Sequence, residues 1–251
     1  MEKEKRMSAI LFDVDDTLYD QTIPFYEAYA EYFGATPAVP ADVIYPVTRK
    51  YSNAVYSSAM SGEISMEEMY IYRMREALKE FGIAITDAAA LDFQTIYADR
   101  QRQIHMSPLM EKILEYCSGK TKLGIITNGP SEHQWNKVKS LQVERWIPHE
   151  NIFVSADVGA EKPDRRIFDY ARRAMNLDEN AGIWFVGDAY DLDVRGAVNA
   201  GWNAVWMNRR KRKLSEDEKE AAMNRGRVVC VETEEELERF VRGIPGADKM
   251  K

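Results

Sequence analysis

Between its first strand-like run, "SAILFDV", and the next, "KLGIITNG", the chain carries a long stretch with no convincing strand. From about Pro24 to about His105, apolar residues recur at helical spacing in "TIPFYEAYAEYFG", "ADVIYPVTRKYSNAVYSSAM", "SMEEMYIYRMREALKEFG" and "DAAALDFQTIYADRQRQI". Gly34, Gly62, Gly82 and several prolines punctuate these segments, which predict a bundle of about four helices. Beyond it the pattern changes. "SPLMEKILEYCSG" reads as a helix capped by Ser107, with Pro108 at its first position and Gly119 closing it. "KLGIITNG", "NIFVSADVG", "GIWFVGDAYDLD", "NAVWMN" and "RVVCVE" read as strands. "PSEHQWNKVKSLQV", "DRRIFDYARRAMN", "VRGAVNAG" and "TEEELERFVRG" between and after them read as helices. Such alternation predicts a parallel sheet covered on both faces, with right-handed crossovers. The helical stretch interrupts the alternation straight after its first strand. The expectation is therefore one α/β, Rossmann-like core, residues 1–20 and 106–251, with an α-helical insertion over 21–105, rather than two domains in series.

Bulk properties narrow the partners. The net charge of −7 argues against a general nucleic-acid binder, because a phosphate backbone calls for basic surface. It leaves room for a small phosphorylated substrate, for which local charge matters more than the total. Cys117 and Cys230 lie far apart and make no metal spacing, so a reducing cytoplasm is the expected compartment. The apolar run near the N-terminus ends at Asp13, too short for a signal peptide or a membrane span, and no membrane partner is expected. His105, His133 and His149 follow no ligand spacing.

In open α/β sheets, ligands bind beyond the carboxyl ends of the strands. Here those ends are polar. Asp13 and Asp15 follow the first strand, Thr127 and Asn128 the second, and Asp188, Asp191 and Asp193 a later one, while Lys162 of "AEKPD" precedes a helix. Clustered carboxylates repel unless a cation lies between them. Oxygen donors at a loop mouth suit Mg²⁺, and the absence of histidine and cysteine disfavours zinc. Mg²⁺, a lysine and hydroxyl donors together suit a phosphoryl group and its spreading transition-state charge. An aspartate can attack phosphorus, and a second one two residues away can serve as acid and base on the same substrate.

Four short motifs carry a resemblance. "DVDDT" resembles the Asp-x-Asp-x-Thr motif of the haloacid dehalogenase superfamily, "IITNG" its second motif, "EKPD" its third and "VGDAYDLD" its fourth, all in the family's order. The resemblance implies that Asp13 is nucleophile and Mg²⁺ ligand. Asp15 becomes the general acid/base, with its backbone carbonyl on the metal, and Thr17 braces the loop. Thr127, helped by Asn128, binds the phosphoryl oxygens, and Lys162 neutralises charge there. Asp188 binds the metal, and Asp193 supports the metal waters or orients Lys162. The helical insertion is similar to the family's C1 cap, which closes over the core, excludes water and selects the substrate.

The family's dehalogenases carry Tyr where Asp15 stands, so the carboxylate here argues for phosphate chemistry. The motif spacing and "DVRGAVNAGWNAVWMNR" look most like the nucleotidases and phosphoglycolate phosphatases. The expected partner is a small phosphorylated metabolite, with a 5′-nucleotidase-like activity favoured. A phosphoglycolate or sugar phosphatase, a haloacid dehalogenase and a non-catalytic binding module stand as alternatives. Asp191 reads as a helix-start carboxylate, and Asp16 and Asp20 as structural. The tyrosines at 19, 26, 29, 32, 45, 51, 56, 70 and 72 read first as packing residues of the helical stretch, and secondly as stacking groups for a flat ligand. Arg49, Lys50 and Arg73 read as candidates to meet substrate charge or as solvated surface. "NRRKRK", residues 208–213, reads as a solvated loop, since acidic "SEDEKE" follows it.

Overall fold

Strand β1 (Met7–Phe12) is buried on both faces: Ala9, Ile10, Leu11 and Phe12 are at most 1% exposed. An apolar run with no alternation suits a central parallel strand, and β1 takes that place. In the computed structural model, which describes residues 7–215 and 228–243, one six-stranded sheet has the order β3-β2-β1-β4-β5-β6. The other strands are β2 (Lys122–Thr127), β3 (Ile152–Val154), β4 (Gly182–Gly187), β5 (Asn203–Met207) and β6 (Val228–Val231), and every pairing is parallel. The sheet is α/β and Rossmann-like, as the alternation predicts.

Register positions the site. Phe12 lies opposite Ile125 of β2 and Val186 of β4, and the Asp13 amide donates to the Val186 carbonyl at 2.8 Å. The ends of the three strands are therefore level, and the polar residues after them emerge at one edge. The chain builds β2 and β3 on one side of β1, then β4, β5 and β6 on the other. Strand order turns at β1, where such sheets bind ligands.

One face of the sheet packs Ala9, Leu11 and Phe185 against Ile167, Phe168 and Ala171 of α8 (Arg165–Ala174) and Ala197 of α9 (Arg195–Asn199). On the other, α5 (Pro108–Ser118) packs with α10 (Glu234–Gly243), whose Phe240 meets the Trp184 ring edge-on at 4.8 Å. Ser107 caps α5 by accepting from the Met110 amide at 3.0 Å. Gly119 follows it in a right-handed conformation (φ −74°), so the helix ends without using glycine's special freedom. The predicted strand "NIFVSADVG" is shorter than its apolar run suggests. It ends at Val154, and Ser155–Val158 turn into the short helix α7.

The chain divides into two compact units, Met1–Asp20 with His105–Lys251, and Gln21–Ile104. The second is all helix: α1 (Thr22–Phe33), α2 (Ala41–Ser61), α3 (Met66–Lys79) and α4 (Asp87–Gln101). A capping box opens α3, with the Ser65 amide donating to Glu68 at 2.7 Å and the Glu68 amide to Ser65 Oγ at 3.1 Å. The core of this unit is aromatic. Phe25 stacks on Tyr29 (5.7 Å between centroids) and meets Tyr45, Phe93 and Tyr97 edge-on at 5.1–5.5 Å. Tyr29 and Tyr45 are thus packing residues. Among the described residues no helix is long and apolar enough to cross a membrane. Cys117, buried, and Cys230, exposed, are both free.

Candidate active site

The end of β1 delivers Asp13 into nearly complete burial, 7% exposed. An isolated carboxylate there would be costly. Its partner is Lys162, 3% exposed, whose Nζ lies 2.7 Å from Asp13 Oδ1 and 2.7 Å from Asp193 Oδ1. Asn128, after β2, holds Lys162 by its backbone: the Asn128 amide donates to the Lys162 carbonyl at 2.8 Å and accepts from the Lys162 amide at 2.9 Å. Asp193 is completely buried on the π-helical turn Tyr190–Val194, and its Oδ2 accepts from the Ala189 amide at 2.9 Å. Gly187, the last residue of β4, is what lets Asp193 lie there. A Cβ at 187 would collide with the Asp193 carboxylate.

Asp188 completes the group. One oxygen from each of Asp13, Asp188 and Asp193 lies within 4.8 Å of the others. Burial raises the Asp188 pKa well above the usual aspartate value, and repulsion from Asp193 and Asp13 adds to it. Burial raises Asp13 too, against the pull of Lys162. Three carboxylates with only one lysine between them leave a surplus of negative oxygen donors, which matches the demands of a small hard divalent cation. Asp188 also lines a cavity of about 230 Å³ with Asp16, Tyr190, Asn208, Arg209, Arg210 and Arg212.

Asp15 points to different partners. Lys137 Nζ donates to both its oxygens, at 2.6 and 2.8 Å, and the Tyr19 hydroxyl donates at 2.5 Å. Burial pushes the Asp15 pKa up, but Lys137 and Tyr19 outweigh it and bring it down to about 2. Lys137 lies on α6 (Ser131–Ser140), 5% exposed, one turn beyond Gln134. Gln134 accepts from the Thr127 hydroxyl at 3.1 Å and donates to the Asn128 carbonyl at 3.0 Å. The inward stripe of α6 therefore ties the β1 loop to the β2 loop. Gly129 (φ +145°) makes room, since a Cβ there would meet Gln134 Nε2 at 2.6 Å.

Thr17 is fully buried. Its hydroxyl finds no partner among the described residues, and its backbone ties the loop instead. Arg209 donates to the carbonyls of Asp16 and Thr17, each at 3.0 Å, and to Glu234 at 2.7 Å. Arg210 holds the carboxylates of Asp16, at 2.5 Å, and Asp20. The run "NRRKRK" is thus not simply a solvated loop, because its first two arginines clamp residues 16–20. Asp191 pairs with Arg195, four residues on, at 3.0 Å and with Arg212 at 3.3 Å, away from the three-carboxylate cluster.

Lys137 and Gln134 went unnoticed in the sequence, while Tyr19 reads there as a packing or stacking tyrosine and Arg209 and Arg210 as part of a solvated loop. The one available signal was on α6, where two polar residues occupy inward positions of an amphipathic helix.

The chain is similar to known proteins. A glyceraldehyde 3-phosphate phosphatase of Methanopyrus kandleri is 27% identical over 222 residues, 82% of this chain and 85% of that one. The pyrimidine 5′-nucleotidase YjjG of Escherichia coli is 32% identical over 104 residues, 41% of this chain and 45% of that one. The crystal structure of the HAD-hydrolase YfnB from Bacillus subtilis superimposes with a TM-score of 0.68 at 21% identity, covering 94% of this chain and 99% of that one. The family model of the haloacid dehalogenase-like hydrolases matches residues 7–201, from β1 through the helical unit to the close of α9. With strands β1 to β4, the helical insertion and the aspartate-ended strands inside that match, the chain belongs to the haloacid dehalogenase-like hydrolases.

Proposed function

We propose that the protein is a Mg²⁺-dependent phosphomonoester hydrolase working through an aspartyl-phosphate on Asp13. The observation that carries this reading is Lys162, buried between Asp13 and Asp193 with Asp188 beside them. Asp13, Asp188 and the backbone carbonyl of Asp15 hold the metal, which supplies charge neutralisation between the carboxylates and the phosphoryl oxygens. Lys162 draws Asp13 towards its ionised form against the effect of burial and holds it in place, and Asp193 orients Lys162. Asp13 Oδ attacks phosphorus, the bond to the leaving oxygen breaks, and that oxygen takes a proton from Asp15. Water then attacks the aspartyl-phosphate, giving its proton to Asp15, and inorganic phosphate leaves. With Lys137 and Tyr19 on it, Asp15 is ionised and suited to the second half. The first half requires the Lys137 contact to loosen so that the carboxyl carries a proton. Thr127 turns its hydroxyl from Gln134 to the phosphoryl group, while Asn128 serves by holding Lys162.

The helical unit, residues 21–105, is proposed as the cap that selects the substrate, a small phosphorylated metabolite. Relatives named for glyceraldehyde 3-phosphate match over most of the chain and the nucleotidase over less than half, so triose and sugar phosphates stand beside nucleoside monophosphates as candidates. The two free cysteines suit a reducing cytoplasm, where we place the protein.

The test is phosphate release from glyceraldehyde 3-phosphate, UMP, phosphoglycolate and ethyl phosphate, with Mg²⁺ and with chelator, and with 2-chloropropionate as a halide-release control. Mg²⁺-dependent phosphate release that Asp13→Asn abolishes is expected. Halide release without phosphate release, or full turnover by Asp13→Asn, overturns the reading.

A further inference from the structure

The helical unit treats Arg73 differently from five of its other cations. Lys50 pairs with Glu80, Arg75 with Glu76 and Asp87, Lys79 with Glu76, Arg100 with Glu31, and Arg102 with Asp99. All of these lie at the surface of the unit, where an ion pair contributes little. Arg73, on α3, is half-buried and makes no ion pair with a carboxylate among the described residues. Its neighbours are uncharged. One Nη donates to Gln94 Oε1, and the guanidinium lies over the rings of Tyr70 and Tyr97, at 5.0 and 5.5 Å. A second cation, Arg49 of α2, also acts on it.

This placement is costly as it stands. Removing a guanidinium from water without a counter-charge is unfavourable, and a second arginine adds repulsion. Burial lowers the Arg73 pKa from its ordinary value, and Arg49 lowers it further, against the rings of Tyr97 and Tyr70. Two stacked tyrosines and one glutamine oxygen recover part of the cost. They leave most of the guanidinium's five donors unused, and those donors form a planar fork suited to an oxyanion.

We infer that Arg73 anchors an oxyanion-binding site in the helical unit, taking the carboxylate or phosphate group of a small organic acid, with Arg49 adding charge and Tyr70 and Tyr97 holding the fork flat. The inference goes beyond the hydrolase reading and does not need it. If the anion is a second acid group on the substrate, it also narrows that reading to phosphomonoesters with an acidic tail.

The test uses the full chain and malonate, a dicarboxylate without phosphorus. Malonate is expected to raise the Tm of the wild-type protein in a concentration-dependent way. Arg73→Met weakens that response at least tenfold, and Arg73→Lys, which keeps the charge but not the fork, falls between. Without ligand, Arg73→Met melts at or above the wild-type temperature, because an uncompensated charge has gone. An Arg73 that merely packs gives the opposite pattern: Arg73→Met melts lower and malonate acts on both proteins alike, or on neither. That result overturns the inference. Arg73→Gln, polar and nearly as long, repeats the comparison if Arg73→Met does not fold.

A second arm identifies the source of the anion and is independent of the first. Wild-type kcat/KM for phosphoglycolate is compared with that for ethyl phosphate, which carries no carboxylate. A preference for phosphoglycolate that Arg73→Met removes assigns the anion to the substrate. Equal values together with Arg73-dependent malonate binding assign it to a separate small acid. Absence of any turnover bears on the hydrolase reading alone, and the malonate titration still decides the site.

Discussion

Lys137 is a buried charge whose single carboxylate partner among the described residues belongs to the nucleophile loop, and replacing it with methionine isolates what that contact contributes. The side chains are 6% and 26% exposed, so the pair is shielded from solvent more completely on the lysine side. A fall in the Asp15 pKa from 3.8 to about 2 corresponds to roughly 2–3 kcal/mol. Breaking a fully buried pair costs ~3–5 kcal/mol, and the part of Asp15 still open to water, with the Tyr19 hydroxyl remaining, brings the expectation to ~2–3 kcal/mol at pH 7. A double-mutant cycle of Lys137→Met with Asp15→Asn should show a coupling of ~2 kcal/mol. All five tryptophans lie in the 105–251 segment, so urea unfolding followed by tryptophan fluorescence reads the unit that holds the pair and not the helical one. Because the folded-state pKa of Asp15 is depressed, its contribution is complete above the ordinary value of 3.8 and is lost as pH falls towards about 2. The gap between wild type and Lys137→Met should therefore hold from pH 7 to about 5 and narrow below about 4. A coupling under ~0.5 kcal/mol, typical of a surface pair, would refute the reasoning.

Gly187→Ala should lower stability by ~1–3 kcal/mol through overpacking and lower kcat further by pushing Asp193 off Lys162 and the Ala189 amide. Gly119→Ala, with nothing near its Cβ and a right-handed backbone, is the matched control and should be neutral or stabilising by ~0.4–1 kcal/mol in the same melts. Phe93→Ala empties the centre of the aromatic cluster in the helical unit and should cost ~3–5 kcal/mol, read by the near-ultraviolet signal of its tyrosines during denaturation. Burial lifts the Cys117 thiol to about 12, while exposed Cys230 is shifted up less. A disulfide reagent at pH 8 should label Cys230 in the native protein and reach Cys117 only with denaturant.

Much of the architecture was legible in the chain because it is local. A strand segment buried on both faces is an unbroken apolar run, as Ala9–Phe12 of β1 and Gly182–Gly187 of β4 are, and the helical stretch shows its spacing within single segments. The strand ends were legible for the same reason: carboxylates that break an apolar run, such as Asp13 and Asp188, stand out against it. Spacing alone could not show that "SADV" turns into helix or that "YDLDV" winds as a π turn, since both continue polar beyond an apolar run.

What only the tertiary structure decided concerns partners far apart in sequence. Lys162 reaches Asp13 across 149 residues, Lys137 reaches Asp15 across 122, and Arg210 reaches Asp16 across 194. A lysine that is buried and one that is solvated read alike in a sequence. The difference lies in which carboxylate the fold sets opposite each, and for Arg73 in the fact that among the described residues it sets none.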